Sequence, residues 1–158
     1  MNMKKWSPYI ISTLIALVIG GLSGLLSVEG MQIYSSMVSK PPLTPPGWLF
    51  GVVWTLLYIL MGISAARIWL SEARTSKSRG LNLYVAQLVV NFFWSLIFFN
   101  AQAYGFALVW LLVLFALVLL MILQFYKVDK KAAVLQIPYL LWLAFAAYLN
   151  FGVWVINS

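Results

Sequence analysis

Apolar residues run in five long stretches along this chain of 158 residues, at about 8–28, 47–70, 81–100, 104–126 and 132–156, and the short segments between them hold nearly all of the charge. Each stretch is longer than a buried soluble helix needs and matches the roughly 20 residues that cross about 30 Å of hydrocarbon. In lipid every backbone amide must be satisfied within the protein, which leaves helices or a closed barrel, and continuous rather than alternating apolarity selects helices. The pattern predicts an all-α membrane protein, a bundle of five transmembrane helices forming one domain over residues 1–158. The first stretch follows Lys4 and Lys5 in the manner of a signal peptide. It is longer than an h-region, and Leu26-Ser27-Val28-Glu29 lacks the small-x-small cleavage pattern, so it is read as an uncleaved helix.

One connection stands apart, residues 29–46, expected to be a loop. Four of the six prolines of the chain fall in Pro41-Pro42-Leu43-Thr44-Pro45-Pro46. Proline fixes φ, lacks the amide donor and pushes the preceding residue out of the helical region, so two such pairs enforce a stiff, extended turn.

Composition narrows the function. With 64% hydrophobic residues, 8% charged residues and a mean hydropathy of +0.97, there is no room for a soluble domain. The chain has no cysteine and no histidine. That removes thiol and Ser-His nucleophiles and the commonest soft metal ligands, so neither a metal nor a cofactor is expected. The three acids, Glu29, Glu72 and Asp129, lie at or beyond span ends, which argues against paired-carboxylate catalysis. Nine cations (Lys4, Lys5, Arg67, Arg74, Lys77, Arg79, Lys127, Lys130 and Lys131) and two acids share one side of the membrane, a net of +7, whereas Lys40 and Glu29 cancel on the other. By the positive-inside rule the N-terminus is cytoplasmic, and the C-terminus and proline segment lie outside. The basic loops are too small for a nucleic-acid surface, and no span carries the central charge that ion-coupled transport uses.

The polar and aromatic residues within the spans are the candidates for chemistry. Headgroup belts account for Trp6, Trp69, Trp110 and Trp154, but Trp54, Trp94 and Trp142 fall deeper. Trp54 and Tyr58 share a face of the second span; Gln87, Asn91 and Trp94 share one on the third; Pro138, Trp142, Phe145 and Leu149 form a stripe on the fifth, with Asn150 near its end. A lone Asn in a membrane helix is most often interhelical glue. Three helices that each present a deep Trp beside a polar or proline residue point further, to an aromatic-lined cavity for a planar ligand. Gly20 and Gly24, and Gly62 with Ala66, have the spacing for close helix approach, within the bundle or between copies.

The segments Lys40-Pro41-Pro42-Leu43-Thr44-Pro45-Pro46-Gly47-Trp48-Leu49-Phe50-Gly51, Val53-Trp54-Thr55-Leu56-Leu57-Tyr58, Gln87-Leu88-Val89-Val90-Asn91-Phe92-Phe93-Trp94 and Pro138-Tyr139-Leu140-Leu141-Trp142-Leu143-Ala144-Phe145, with Leu149-Asn150, together resemble the TspO/MBR family, in order and over the whole chain. The resemblance implies a five-helix bundle, expected as a homodimer in a bacterial plasma membrane, that binds porphyrins such as protoporphyrin IX and benzodiazepine or isoquinoline carboxamide ligands. It places the ligand under the loop between the first two spans, against Pro41, Pro42, Trp54, Tyr58, Gln87, Asn91, Trp94, Phe106, Pro138, Tyr139, Trp142 and Phe145, with Lys40 the nearby cation. Light- and oxygen-dependent porphyrin degradation, with Trp54 and Trp142 in the catalytic role, and porphyrin or lipid translocation are the alternatives it carries. The sequence departs from the family at Leu43, where many members have Trp. Phe151 and Val155 replace the Tyr and basic residue of the cholesterol motif near the C-terminus, so the resemblance does not extend to that sterol site. Without His or Cys there is no strong axial ligand for haem iron, so a metal-free porphyrin fits better.

Overall fold

The computed structural model describes residues 3–158, and among them every regular element is helical. Helices α1 (Met3–Leu26), α3 (Gly47–Trp69) and α5 (Tyr104–Tyr126) each cross as a single rod. The third span is α4 (Arg74–Ser95) continued by a π turn at Leu96–Asn100, and the fifth is the short α6 (Lys130–Leu135) followed by α7 (Ile137–Ile156). The protein is thus an integral, multi-pass membrane protein with five spans. The third span begins at Arg74 rather than near 81, because its first two turns are polar and apolarity marks only the part immersed in lipid. The last span breaks at Gln136, two residues before Pro138, whose ring cannot donate to a continuing helix.

The expected loop 29–46 is only half a loop. Residues Val28–Met37 form a further helix, α2, and only 38–46 is extended and turning. Nothing in Val-Glu-Gly-Met-Gln-Ile-Tyr-Ser-Ser-Met demands a helix; what holds it is docking. Gly30 lies against the Phe99 backbone so closely that a Cβ would collide with it. Tyr34 rests on Phe98 and Phe99, with ring centroids 5.6 and 5.3 Å away.

The core draws on α3, α5 and α7, with Met61, Ile68, Leu111, Leu114, Val118, Met121, Phe125, Leu143 and Val153 fully or almost fully buried, and α5 packs between α4 and α7. Helix α1 is peripheral. Only Ala16 and Ser23 of its residues are buried, and it packs chiefly on α3. Gly62 permits that packing, since any side chain there would overlap the Thr13 backbone. Gly20 leaves a notch filled by the Tyr58 ring. One glycine of each small-residue pair thus serves a contact inside the bundle, while Gly24 has open space beside it.

At the basic end, Arg67 does more than reach for the interface: its Nε donates to Asp129 Oδ2 at 2.7 Å. Asp129 also accepts from the Lys131 amide at 3.0 Å, which caps α6, and Ser64 Oγ donates to the Ala132 carbonyl at 2.7 Å. Burial would raise the Asp129 carboxyl, but the Arg67 hydrogen bond and the backbone amides outweigh it and hold it below its ordinary value.

Candidate functional site

At the opposite end, beneath the proline segment, the helices enclose a cavity of about 640 Å³. Four helices and the cover make its wall. From α1 come Leu17, Gly20, Gly21, Ser23 and Gly24, so beyond Leu17 that side is nearly bare backbone. Phe50, Trp54 and Tyr58 of α3 face it, and α4 and the π turn contribute Asn91, Trp94 and Phe99. Trp142 and Ala146 of α7 complete the far side, while Tyr34, Lys40, Thr44, Pro45 and Pro46 close the top.

The aromatic rings lock one another in place. Trp54 and Trp142 meet at right angles with centroids 6.4 Å apart, Phe50 stands edge-on to Trp142 at 5.7 Å, and Trp54 lies 5.8 Å from Tyr58. Such contacts are favourable geometries for π systems and fix each face before a ligand arrives. The Trp142 indole N–H is buried without a hydrogen-bond partner in the protein.

A buried polar chain lies behind this wall. Asn91 Nδ2 donates to the Tyr139 hydroxyl at 2.9 Å, and that hydroxyl donates to Gln87 Oε1 at 2.7 Å. Gln87, Asn91 and Tyr139 are 0%, 3% and 1% exposed, so their amide and hydroxyl groups had to find one another in hydrocarbon. Asn91 reaches the cavity; Gln87 and Tyr139 do not line it and act by orienting Asn91. Trp94 Nε1 donates to Asn150 Oδ1 at 3.2 Å, and Asn150 Nδ2 donates to the Tyr104 carbonyl at 2.8 Å. The Trp94 N–H is thereby spent on fixing the ring.

The cover is fastened at both edges. On one side α2 docks on the π turn, and Asn100 Nδ2 donates to the Leu26 carbonyl at 2.7 Å. On the other, Ser39 N donates to Asn157 Oδ1 at 3.2 Å and Asn157 Nδ2 donates back to Ser39 O at 2.8 Å. The Tyr148 hydroxyl donates to Pro42 O at 2.9 Å, and Pro41 packs on Gly152. Lys40 lies 4.9 Å above the Tyr34 ring and donates to the Ser35 and Val38 carbonyls at 3.3 and 3.0 Å, so most of its donor capacity secures the end of α2.

Of the residues singled out in the sequence, Trp54, Tyr58, Asn91, Trp94 and Trp142 converge on the cavity. Phe106 does not: it is exposed on α5 and packs on Trp110 at 6.0 Å. Pro138 is exposed beside the helix break, and Phe145 lies between Trp142 and Tyr148, outside the lining. Pro41 and Pro42 anchor the cover while Pro45 and Pro46 face the cavity. Trp110, expected in an interfacial belt, donates to the Val90 carbonyl at 2.7 Å and ties α5 to α4. The place of the α1 glycines in the cavity wall, and Tyr34, Phe50 and Phe99, were missed. A stripe of small residues at Gly20, Gly21, Ser23 and Gly24 was the available signal for the first of these.

Fold and site together define a five-span helical membrane protein with a covered aromatic cavity at one end. The chain belongs to the TspO/MBR family, whose pattern matches residues 12–155. It is 38% identical over 158 residues to the tryptophan-rich protein TspO of Archaeoglobus fulgidus, covering 100% of each chain. It is 36% identical to the translocator protein of Bos taurus, over 97% of this chain and 92% of that one. It is 35% identical to protein CrtK of Rhodobacter capsulatus, over 99% and 95% respectively.

Proposed function

We propose that this protein is a membrane receptor or sensor whose covered cavity binds a planar, hydrophobic ligand of the porphyrin class, protoporphyrin IX being the reference compound, and accepts benzodiazepine- and isoquinoline carboxamide-like molecules. The observation that carries this reading is the enclosed space of about 640 Å³ walled by Trp54, Trp142, Trp94 and Tyr58 with Asn91 at its edge. Such a volume falls within the usual range for small-molecule sites, and flat aromatic walls with few polar groups favour a flat, largely apolar guest. The Asn91 amide, with one proton spent on Tyr139, supplies a hydrogen bond for a carbonyl or carboxylate group. Names of relatives such as translocator protein and tryptophan-rich sensory protein accord with a sensing or translocating role. The +7 net charge of the face opposite the cover supports a cytoplasmic N-terminus in a bacterial plasma membrane, with the cover outside.

Tryptophan fluorescence quenching by protoporphyrin IX tests the site. The combined variant Trp142→Ala and Asn91→Ala is expected to bind at least about 10-fold more weakly, as one stacking face and one polar contact are lost; unchanged affinity would remove this cavity from consideration. The contact between Trp54 and Trp142 favours a second reading, breakdown of the bound porphyrin in light and oxygen. Trp54→Phe with Trp142→Phe would then stop bleaching but not binding. Bleaching no faster than in detergent alone would rule that activity out.

A further inference from the structure

A second hollow lies at the basic end, between α1 and α4 with α3 as its floor. It has a volume of about 760 Å³ and an almost wholly apolar lining, and it is separate from the covered cavity. On α1 it runs from Ser7 and Pro8 to Ile19, and on α4 from Leu81 to Phe93. At a rise of ~1.5 Å per residue each wall is about 18 Å long. That is the depth of one leaflet, since the whole hydrocarbon layer is ~30 Å thick. An occupant that fits it enters from one face and ends near mid-membrane, as a lipid acyl chain does and a membrane-spanning helix does not.

Continued one turn towards the basic face, both walls end in a lysine. Lys4 precedes Ser7 and Pro8 by three and four residues, and Lys77 precedes Leu81 by four, spacings that put each lysine on the face of its helix that forms the groove. The Lys77 ammonium lies 5.3 Å over the ring of Trp69, itself a groove residue, and donates to the Ser71 carbonyl at 3.2 Å. An ammonium has three donors, so this leaves capacity for a phosphate. Trp69 sits where indoles favour the headgroup level.

We propose that this groove is a binding site for one anionic phospholipid of the leaflet on the basic side, with an acyl chain between α1 and α4 and its phosphate between Lys4 and Lys77. The apolar lining selects a chain, the length selects a single leaflet, and the paired cations select negative charge over a zwitterionic headgroup. Each lysine near a headgroup contributes enough to make the pair worth about 10- to 30-fold in affinity.

Native mass spectrometry of the full chain, released from detergent in the presence of phosphatidylglycerol or of phosphatidylcholine with the same acyl chains, tests this. The expected result is one phosphatidylglycerol retained per chain and phosphatidylcholine retained at least 10-fold less. Lys4→Gln with Lys77→Gln should lower phosphatidylglycerol to the phosphatidylcholine level. Lys127→Gln with Lys130→Gln, which removes the same charge where neither groove wall leads, should leave it unchanged. Ser12→Phe, which fills the groove without touching its cations, should abolish retention of both lipids, with an unchanged circular dichroism melting curve showing that the bundle is intact. Equal losses in the two double-lysine variants, or equal retention of the two lipids by the wild type, would overturn the proposal. So would a Ser12→Phe protein that keeps its lipid but loses a dimer peak, since a second copy would then be the occupant.

Discussion

The covered cavity and the open groove are of similar size and share α1 as a wall, yet their linings differ in chemistry. Towards the cavity α1 offers Gly20, Gly21, Ser23 and Gly24, and the facing helices answer with indoles and an oriented amide. Towards the groove it offers Ile11, Ile15 and Ile19, faced by Leu81, Val85 and Leu88. Polar chains behind the cavity fix what a ligand meets, whereas the groove is lined almost wholly by apolar aliphatic and aromatic chains, so any orientation must come from charge at its mouth. Volume alone does not distinguish a selective site from a lipid seam; what stands behind the wall does.

The sharpest way to separate the two is Gly20→Val. A side chain there collides with the Tyr58 ring, and the overpacking costs about 1–3 kcal/mol. Protoporphyrin affinity should drop roughly 100-fold if that ring is driven into the cavity, with phospholipid retention in the groove unchanged. Loss of both together would mean that α1 responds as one rigid unit.

Asn91→Leu tests the chain behind the wall. It strips Tyr139 of one partner in a buried site, for an expected loss of about 1–3 kcal/mol in stability, read as a lower melting temperature. A melting temperature equal to wild type would show that Asn91 is not part of a stabilising network. Asn157→Ala cuts the paired hydrogen bonds to Ser39, each worth about 0.5–1.5 kcal/mol at most in this exposed setting. Stopped-flow release of porphyrin should speed up several-fold with the melting temperature nearly constant, and unchanged release would show that ligand does not leave past this edge.

The smallest effect is expected at the basic end. Because the folded Asp129 carboxyl is held below its unfolded value, its contribution is present above the unfolded value near 4 and fades as pH falls through the lower, folded one. For a partly exposed pair this amounts to no more than about 1 kcal/mol. Asp129→Asn should therefore melt slightly below wild type at pH 7 and together with it in strong acid; a gap that persists there would assign the effect to the α6 cap instead.

The five spans were legible because immersion in lipid imposes continuous apolarity, and the deep Trp and Asn residues were legible because such groups need partners there. Helix α2 was not, since its ten residues become helical through Gly30 and Tyr34 docking on a turn far away in sequence. Nor was the division of labour among the prolines: only the fold sends Pro41 to Gly152 and Pro45 to the cavity. Phe106 came from the family resemblance alone, and its neighbours along the chain do not tell which side of α5 it occupies; the fold puts it on the exposed side, beside Trp110. The glycines of α1 were noticed for their spacing alone, and their partner, Tyr58, becomes visible only in three dimensions.

The π turn at Leu96–Asn100 is closed by a bond from Ala101 N to Leu96 O at 2.9 Å, five residues back. Each such ring encloses one residue more than an α turn. Removing any one residue there would let the ordinary turn re-form, and the side chains within the turn would change places on the helix face. Phe98 and Phe99 would shift against Tyr34, and the roof would keep only its fastening to α7, although hardly any side chain had been altered. Whether this bundle keeps its cavity covered is thus written partly as a count of residues, which a single codon deletion could change.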